Sequence, residues 1–155
     1  MTGKLELLTP QNSQLIFIDH QPQMAFGVQS IDRQTLKNNT VALAKSAKAF
    51  NIPTTITTVE TEGFSGHTYP ELLEVFPDHP LLERTSMNSW DDQKVRDALA
   101  QNDRKKVVVS GLWTEVCNTT FSLEAMDQRA TRSTCLLYTS PSPRDMRRSR
   151  MPSSA

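Results

Sequence analysis

The chain contains short, continuous apolar runs that end in polar residues. The run 14–19 places four consecutive apolar side chains before Asp19, and the run 106–110 contains three consecutive valines. Continuous rather than alternating hydrophobicity is typical of strands that are covered on both faces, as in a parallel sheet. Together with two β-branched or apolar segments, these runs predict four strands, over 14–19, 53–58, 81–85 and 106–110.

Apolar residues recur at helical spacing between these strands. The spacing predicts helices over 31–50, 70–76, 90–100 and 117–128. Strands and helices alternate along the chain, which is the pattern of a three-layer α/β/α Rossmann-like domain with a mostly parallel sheet. The length of 155 residues is enough for one such domain.

The helix and strand pattern stops at about residue 129. Residues 1–128 carry 11 basic and 16 acidic side chains, whereas residues 129–155 carry six arginines and one aspartate. From Cys135 onward the Ser-, Pro- and Arg-rich sequence resembles translated read-through of a sequencing adapter. We therefore expect a C-terminally truncated, incomplete domain over 1–128 and a non-native, disordered tail over 129–155.

The charge and the cysteine count narrow the class of protein. An acidic body argues against nucleic acid as a partner, because binding to phosphates needs clustered Lys and Arg. No apolar run is long enough to span a bilayer, and the N-terminal sequence does not resemble a secretory signal. Two cysteines in unrelated contexts do not predict a disulfide framework, so we expect a cytoplasmic protein.

Three chemically useful residues lie at the ends of predicted strands. Asp19 ends the first strand, Arg84 ends the third, and Cys117 opens the helix after the fourth. Ligands of such domains bind beyond the carboxyl ends of the strands, where these residues can meet. A helix N-terminus is expected to favour the thiolate of a cysteine, a carboxylate can accept its proton, and a cation can balance the charges. The pattern predicts a nucleophilic cysteine site.

Two segments resemble motifs of the isochorismatase-like cysteine hydrolases. The stretch Gly-Leu-Trp-Thr-Glu-Val-Cys at 111–117 is similar to their Gly-x-x-Thr-Glu/Asp-x-Cys motif. The stretch Phe-Ile-Asp-His-Gln at 17–21 is similar to their first-strand motif, which carries a catalytic Asp. The resemblance covers about residues 8–128. The Asp-His-Gln sequence and the Asn-Ser-Trp-Asp sequence at 88–91 resemble the YcaC-like branch of the family.

This resemblance implies a catalytic triad and a reaction. The family triad of Asp, Lys and Cys corresponds to Asp19, Arg84 and Cys117, with Arg in place of Lys. It implies a hydrolase, of the C–N amidohydrolase type, that acts on a small amide or related carbonyl substrate through a thioester. Because Arg keeps its charge at physiological pH, Arg84 can stabilise a thiolate but cannot shuttle a proton. Family members commonly assemble, so a homo-oligomer is expected.

The resemblance also implies features around the nucleophile. A non-proline cis peptide is expected between Leu112 and Trp113. It would direct the backbone N–H of Trp113, together with that of Cys117, at a developing oxyanion. Gln21 and Trp113 are expected to contact the substrate.

The three histidines do not predict a metal site. Nicotinamidases of the same superfamily bind a metal through an Asp-x-His pattern, which the corresponding segment 58–67 lacks. Zinc needs three or four ligands, usually at short spacings, and His20, His67 and His79 do not supply them. We therefore expect neither a metal nor a cofactor.

Two other functions stay open at this point. The chain could be an inert fragment or a small-molecule binding module of the same fold, because the sheet of a truncated domain loses part of its cover. It could also be a true isochorismatase. Those enzymes cleave a vinyl ether without using a cysteine, so Cys117 counts against that function.

Overall fold

The structure is a computed structural model that describes residues 7–128 and the strand 133–136. Its sheet has five parallel strands in the order β3-β2-β1-β4-β5. The strands are Ser13–Ile18 (β1), Thr54–Val59 (β2), Leu81–Arg84 (β3), Lys106–Gly111 (β4) and Ser133–Leu136 (β5). The predicted mostly parallel α/β sheet is confirmed.

Five α-helices connect or flank the strands. They are Pro22–Phe26 (α1), Arg33–Ala49 (α2), Pro70–Val75 (α3), Gln93–Gln101 (α4) and Thr119–Asp127 (α5). A 3₁₀ turn, Ser89–Asp91, precedes α4, and a π-helical turn, Thr114–Asn118, leads into α5. None of the helices in the described part of the chain is long and apolar enough to cross a bilayer.

Side-chain capping explains where the longer helices begin. The carboxylate of Asp32 accepts a hydrogen bond of 2.9 Å from the Thr35 amide at the start of α2. The carboxylate of Asp92 does the same for the Lys94 amide, at 2.8 Å, at the start of α4. Each cap satisfies a backbone donor that has no partner within the helix.

Strand β1 divides the core into two layers. Leu15 and Phe17 belong to one buried cluster, which α2 and α3 complete, whereas Ile16 and Ile18 belong to the other, which α4 and α5 complete. Because successive side chains of a strand point to opposite faces, a continuous apolar run contributes side chains to both core layers. The three-layer architecture follows from this single run.

The structure departs from the sequence-based elements in two places. The five-residue helix α1 was not predicted, because it lacks the length that makes apolar periodicity recognisable. Strand β5 lies in the segment that we predicted to be a disordered tail, so the expectation of disorder is wrong for Ser133–Leu136, which pairs in parallel with β4. The rest of that tail lies outside the described residues.

Gly111 lets the turn that carries Cys117 approach strand β4. The side-chain amide of Asn118 donates a hydrogen bond of 3.2 Å to the Gly111 carbonyl. A Cβ atom on Gly111 would lie 2.3 Å from Asn118 Oδ1, well inside contact distance. The glycine of the motif therefore has a packing reason that is separate from catalysis.

Replacing Gly111 with alanine tests this packing. The added methyl group must displace the buried Asn118 side chain, so we expect Gly111→Ala to lower the free energy of unfolding by about 1–3 kcal/mol. Urea denaturation measures the change. Gly63→Ala is the matched control, because its Cβ would meet nothing nearer than 3.5 Å on an exposed loop. Equal effects of the two substitutions would refute the steric explanation.

Candidate active site

The three predicted site residues come together at the carboxyl edge of the sheet. After β3 the chain returns to the other side of β1, so β4 lies next to β1, and ligands of such sheets bind beyond the strand ends where the order reverses. Asp19 directly follows β1, and Cys117 lies in the turn that follows β4. Arg84 is the last residue of β3, two strands from β1.

Asp19 has a constrained backbone. Its φ of 52° lies in the left-handed region, which aspartate tolerates better than most residues and which concentrates at functional sites. Its amide donates to the Thr57 carbonyl at 3.2 Å, and its own carbonyl accepts from the Gln21 amide at 2.8 Å. These contacts turn the chain sharply at the end of β1 and fix the start of the carboxylate side chain.

Asp19 and Arg84 form a buried ion pair. The side chains are 3% and 0% exposed, respectively, and Arg84 Nη2 donates to Asp19 Oδ2. Arg84 Nη1 donates to the Ser86 carbonyl, while its Nε–H has no hydrogen-bond partner within the described part of the chain. A buried donor without a partner is uncommon in folded proteins and points to a ligand or water position.

Burial controls the protonation of Asp19. Desolvation raises the pKa of its carboxyl group above the ordinary value, and it outweighs the lowering by the Arg84 charge and by the Thr57 hydroxyl. Thr57 Oγ1 donates to Asp19 Oδ1 at 3.0 Å. A carboxylate with a raised pKa is a better proton acceptor near neutral pH than an ordinary aspartate.

Cys117 is a buried thiol in the π-helical turn. It is 4% exposed. Burial, the largest effect, and the Asp19 charge together raise the pKa of the thiol to about 12, although Arg84 and a backbone hydrogen bond with Trp113 act to lower it. Burial therefore opposes the effect expected of the helix N-terminus, because desolvation of the thiolate is the largest cause of the raised pKa.

The backbone around the predicted oxyanion hole differs from the expected conformation. The described residues contain no cis peptide bond, so the expected cis bond between Leu112 and Trp113 is wrong, and the trans form preferred by non-proline residues is kept. The Cys117 amide donates to the Trp113 carbonyl at 2.8 Å within the turn. That amide is therefore hydrogen-bonded within the turn, and the predicted oxyanion hole stays a prediction.

Trp113 is fixed by helix α1. Its indole Nε1 donates to the Met24 carbonyl at 2.9 Å. Gly27 lies against the ring, and a Cβ there would come within 3.0 Å of it. Trp113 is partly buried and packs against both core clusters. Its predicted contact with substrate stays a prediction.

Gln21 has a structural role here instead of the predicted contact with substrate. It is fully buried, its Oε1 accepts from the Val59 amide at 3.0 Å, and its Nε2 donates to the Val59 and Gly66 carbonyls. The side-chain amide therefore joins the end of β2 to the following loop. Its polar atoms are committed to backbone groups, so we correct that assignment.

His20 and Thr57 are buried polar residues of the site that the sequence reasoning missed. His20 Nε2 lies 3.0 Å from Ser110 Oγ and links the ends of β1 and β4. Burial lowers the pKa of His20 to about 4, so the imidazole is neutral at pH 7. The sequence signal for His20 was its place beside Asp19, but Thr57 is one of four threonines in β2 and only the geometry singles it out.

The other histidines lie apart from this group. The side chain of His67 is 74% exposed and lies 4.0 Å from Glu62, and His79 contacts the ring of Phe76. Within residues 7–128 and 133–136, no three His, Cys, Asp or Glu side chains are arranged to hold a metal ion.

Removing the Arg84 charge tests the buried pair. Arg84→Met leaves an unpaired buried carboxylate, so we expect the free energy of unfolding to fall by about 3–5 kcal/mol. Lys37→Met is the matched control: it breaks a partly exposed pair with Glu71, which is worth about 0–1 kcal/mol. Chemical denaturation at pH 7 measures both. Adding Asp19→Asn should recover part of the Arg84→Met loss, and a loss no larger than the control's would contradict the buried pair.

The neutral His20 predicts a loss of stability in acid. Its pKa of about 4 in the folded protein lies below the ordinary 6.5. Its contribution is therefore full above pH 6.5 and is lost as the pH falls towards 4, by about 3 kcal/mol in all. The raised pKa of Asp19 acts in the opposite direction, so the difference between wild type and His20→Gln isolates the histidine.

The measurement is the free energy of unfolding in urea at pH 7 and pH 5. We expect His20→Gln to flatten the acid side of the stability curve and the exposed His67→Gln to leave it unchanged. A direct NMR titration of the His20 ring serves if His20→Gln does not fold. A ring that protonates near 6.5 would rule out the neutral buried state.

Sequence comparison places this site in a known family. The isochorismatase domain matches residues 13–128, from the first strand to the end of the last described helix. "Probable hydrolase YcaC" of Escherichia coli (strain K12) is 33% identical over 129 residues. That match covers 83% of this chain and 62% of the relative, so the chain spans less than two thirds of the relative's length.

Solved structures agree. The YcaC gene product of Escherichia coli, described as an octameric hydrolase of unknown specificity, has a TM-score of 0.82 and 30% identity, covering 89% of this chain and 67% of that one. YcaC from Pseudomonas aeruginosa, solved with hexane-2,5-diol and covalent acrylamide, has a TM-score of 0.83 and 29% identity, covering 89% and 68%. The chain therefore belongs to the isochorismatase family, on its YcaC-like branch.

Proposed function

We propose that this chain carries the active site of a cysteine hydrolase that acts on a small amide or a related carbonyl compound. The observation that carries the proposal is the buried group of Asp19, Arg84 and Cys117, in which the thiol is electrostatically coupled to both charged partners. In this proposal Cys117 is the nucleophile and Asp19 is its general base.

The first half of the proposed reaction forms a thioester. Asp19 takes the proton from the Cys117 sulfur as the sulfur attacks the carbonyl carbon of the amide. Arg84 balances the negative charge, and its unpartnered Nε–H is the donor that we assign to the oxygen of the tetrahedral intermediate. The C–N bond then breaks, and Asp19 returns the proton to the departing amine.

The second half regenerates the enzyme. Asp19 takes a proton from water, and the hydroxide attacks the thioester carbon. The C–S bond breaks, the carboxylic acid is released, and the proton returns to the Cys117 sulfur. The thiol is protonated in the resting site, with a pKa of about 12, so the reaction needs a base beside it.

The relative from Pseudomonas aeruginosa supports this assignment. Its structure was solved with covalent acrylamide, which is a small amide and an electrophile that reacts with thiols. In this chain the proposed nucleophile is the buried thiol of Cys117. We therefore choose acrylamide as the first probe of this site.

The proposal predicts selective alkylation of Cys117 by acrylamide. Peptide mass spectrometry separates this reaction from that of Cys135 in the same chain. We expect Asp19→Asn to slow alkylation of Cys117 about a hundredfold near pH 7, because the thiol loses its proton acceptor. Asp78→Asn, an exposed aspartate on a loop, is the matched control and should react at the wild-type rate.

Hydrolysis is tested separately. A panel of small primary amides is incubated with the chain, and ammonia release is measured for wild type and Cys117→Ala. Hydrolysis that persists in Cys117→Ala would refute the role of Cys117 as the nucleophile. The buried, high-pKa thiol is also compatible with the alternative, a catalytically inert fragment or small-molecule binding module of the same fold. That alternative is favoured if Cys117 resists acrylamide and no amide is hydrolysed.

Self-association is part of the same proposal. The related YcaC gene product of Escherichia coli is described as octameric. Helix α5 exposes Leu123 and Met126, at 64% and 49%, on the side opposite to its buried residues. An exposed apolar face of this kind is suited to contact with another copy of the chain.

A further inference from the structure

Strand β2 lies between the two charged members of the site and contributes a side chain of its own. In the sheet order β3-β2-β1, Arg84 reaches Asp19 across β2. Thr57 is paired in register with Ile18, the residue before Asp19, and it is fully buried. Its hydroxyl donates to Asp19 Oδ1 at 3.0 Å, and its carbonyl accepts from the Asp19 amide at 3.2 Å.

The Asp19 carboxylate is therefore held at both oxygens. Thr57 binds Oδ1, and Arg84 binds Oδ2. The two donors come from adjacent strands, so the plane of the carboxylate is fixed by the sheet itself. Each carboxylate oxygen accepts more than one hydrogen bond, so both retain capacity for a proton from a neighbour.

We infer that Thr57 is a positioning residue for the proposed reaction, which holds the carboxylate of Asp19 in the orientation and charge state that accept the thiol proton of Cys117. This inference rests on the proposed function. It differs from a packing role because the hydroxyl, and not the volume of the side chain, makes the contact. Valine has nearly the same shape as threonine but lacks the donor.

The charged groups around Asp19 decide the sign of the effect. Arg84 faces it from β3, where the charge of the neighbouring Glu83 raises the pKa of Asp19 slightly, Cys117 lies in the π-helical turn, and the adjacent His20 is neutral at pH 7. Hydrogen bonding by Thr57 lowers the pKa of Asp19. Removing the hydroxyl should raise that pKa, so the base becomes protonated at a higher pH.

The test is the pH dependence of Cys117 alkylation by acrylamide on the full chain. Rates are measured between about pH 5 and pH 9 for wild type, Thr57→Val, Thr57→Ser and Asp19→Asn. Thr57→Val should move the acid midpoint upward by about one pH unit and slow the reaction about tenfold on the acid limb, with rates that converge at high pH. Thr57→Ser, which restores a hydroxyl, should return the midpoint towards wild type.

Thr55→Val is the matched control, because Thr55 is a buried threonine on the same strand, two residues before Thr57. It should keep the wild-type midpoint. If Thr57→Val does not fold, as judged by circular dichroism, Thr57→Ala replaces it with the same expected shift.

The outcomes separate this inference from the proposed function. An unchanged midpoint in the variant without the hydroxyl, or an equal shift in Thr55→Val, overturns the role of Thr57 while leaving Asp19 as the base. If the fall in the alkylation rate at low pH persists in Asp19→Asn, Asp19 is not the base, and the role of Thr57 is refuted as well. A shift that Thr57→Ser reverses supports the positioning role, because packing alone would not follow the hydroxyl.

Discussion

The buried ion pair between Asp19 and Arg84 is the constraint around which the site is arranged. Neither charge is stable alone in a buried position, so the fold must bring the two together. They end strands that are two positions apart, a distance of about 9–10 Å from strand to strand. The long Arg84 side chain spans that gap, and the intervening strand supplies Thr57, which donates to the same carboxylate.

Burial of this pair also determines the proton chemistry. Desolvation raises the pKa of Asp19 and of Cys117 together, because both become charged by losing a proton in the same dry environment. The resting site therefore holds a protonated thiol beside a carboxylate of increased basicity. This state favours a reaction in which the sulfur attacks as it loses its proton over one that needs a thiolate already present in the resting site. The proposed reaction meets this condition, because in it the proton of the buried Cys117 thiol passes directly to Asp19.

The elements and the charged residues were predictable because they depend on periodicity and on strand ends. A continuous apolar run predicted β1. The positions at or after predicted strand ends indicated Asp19, Arg84 and Cys117 as site residues. The backbone between Leu112 and Cys117 could not be predicted in the same way. A π-helical turn and a tight turn can form from similar short sequences, so the residue pattern does not distinguish them. The partner of each hydrogen bond depends on strand order, which is why Gln21 was assigned to substrate although it binds the backbone of β2 and the following loop.

The arginine at position 84 can hold a charge in place but cannot transfer a proton, which limits the roles open to the three residues. Its fork places Nη2 on Asp19 and Nη1 on the Ser86 carbonyl, and so anchors the cation at two points. A lysine carries its donors on one nitrogen and would have to serve both contacts from a single position. Because arginine also keeps its proton at any physiological pH, it cannot relay one. In the proposed reaction, proton transfer is therefore left to Asp19 and Cys117, and every group that adjusts Asp19, including the hydroxyl of Thr57, affects the reactivity of the thiol.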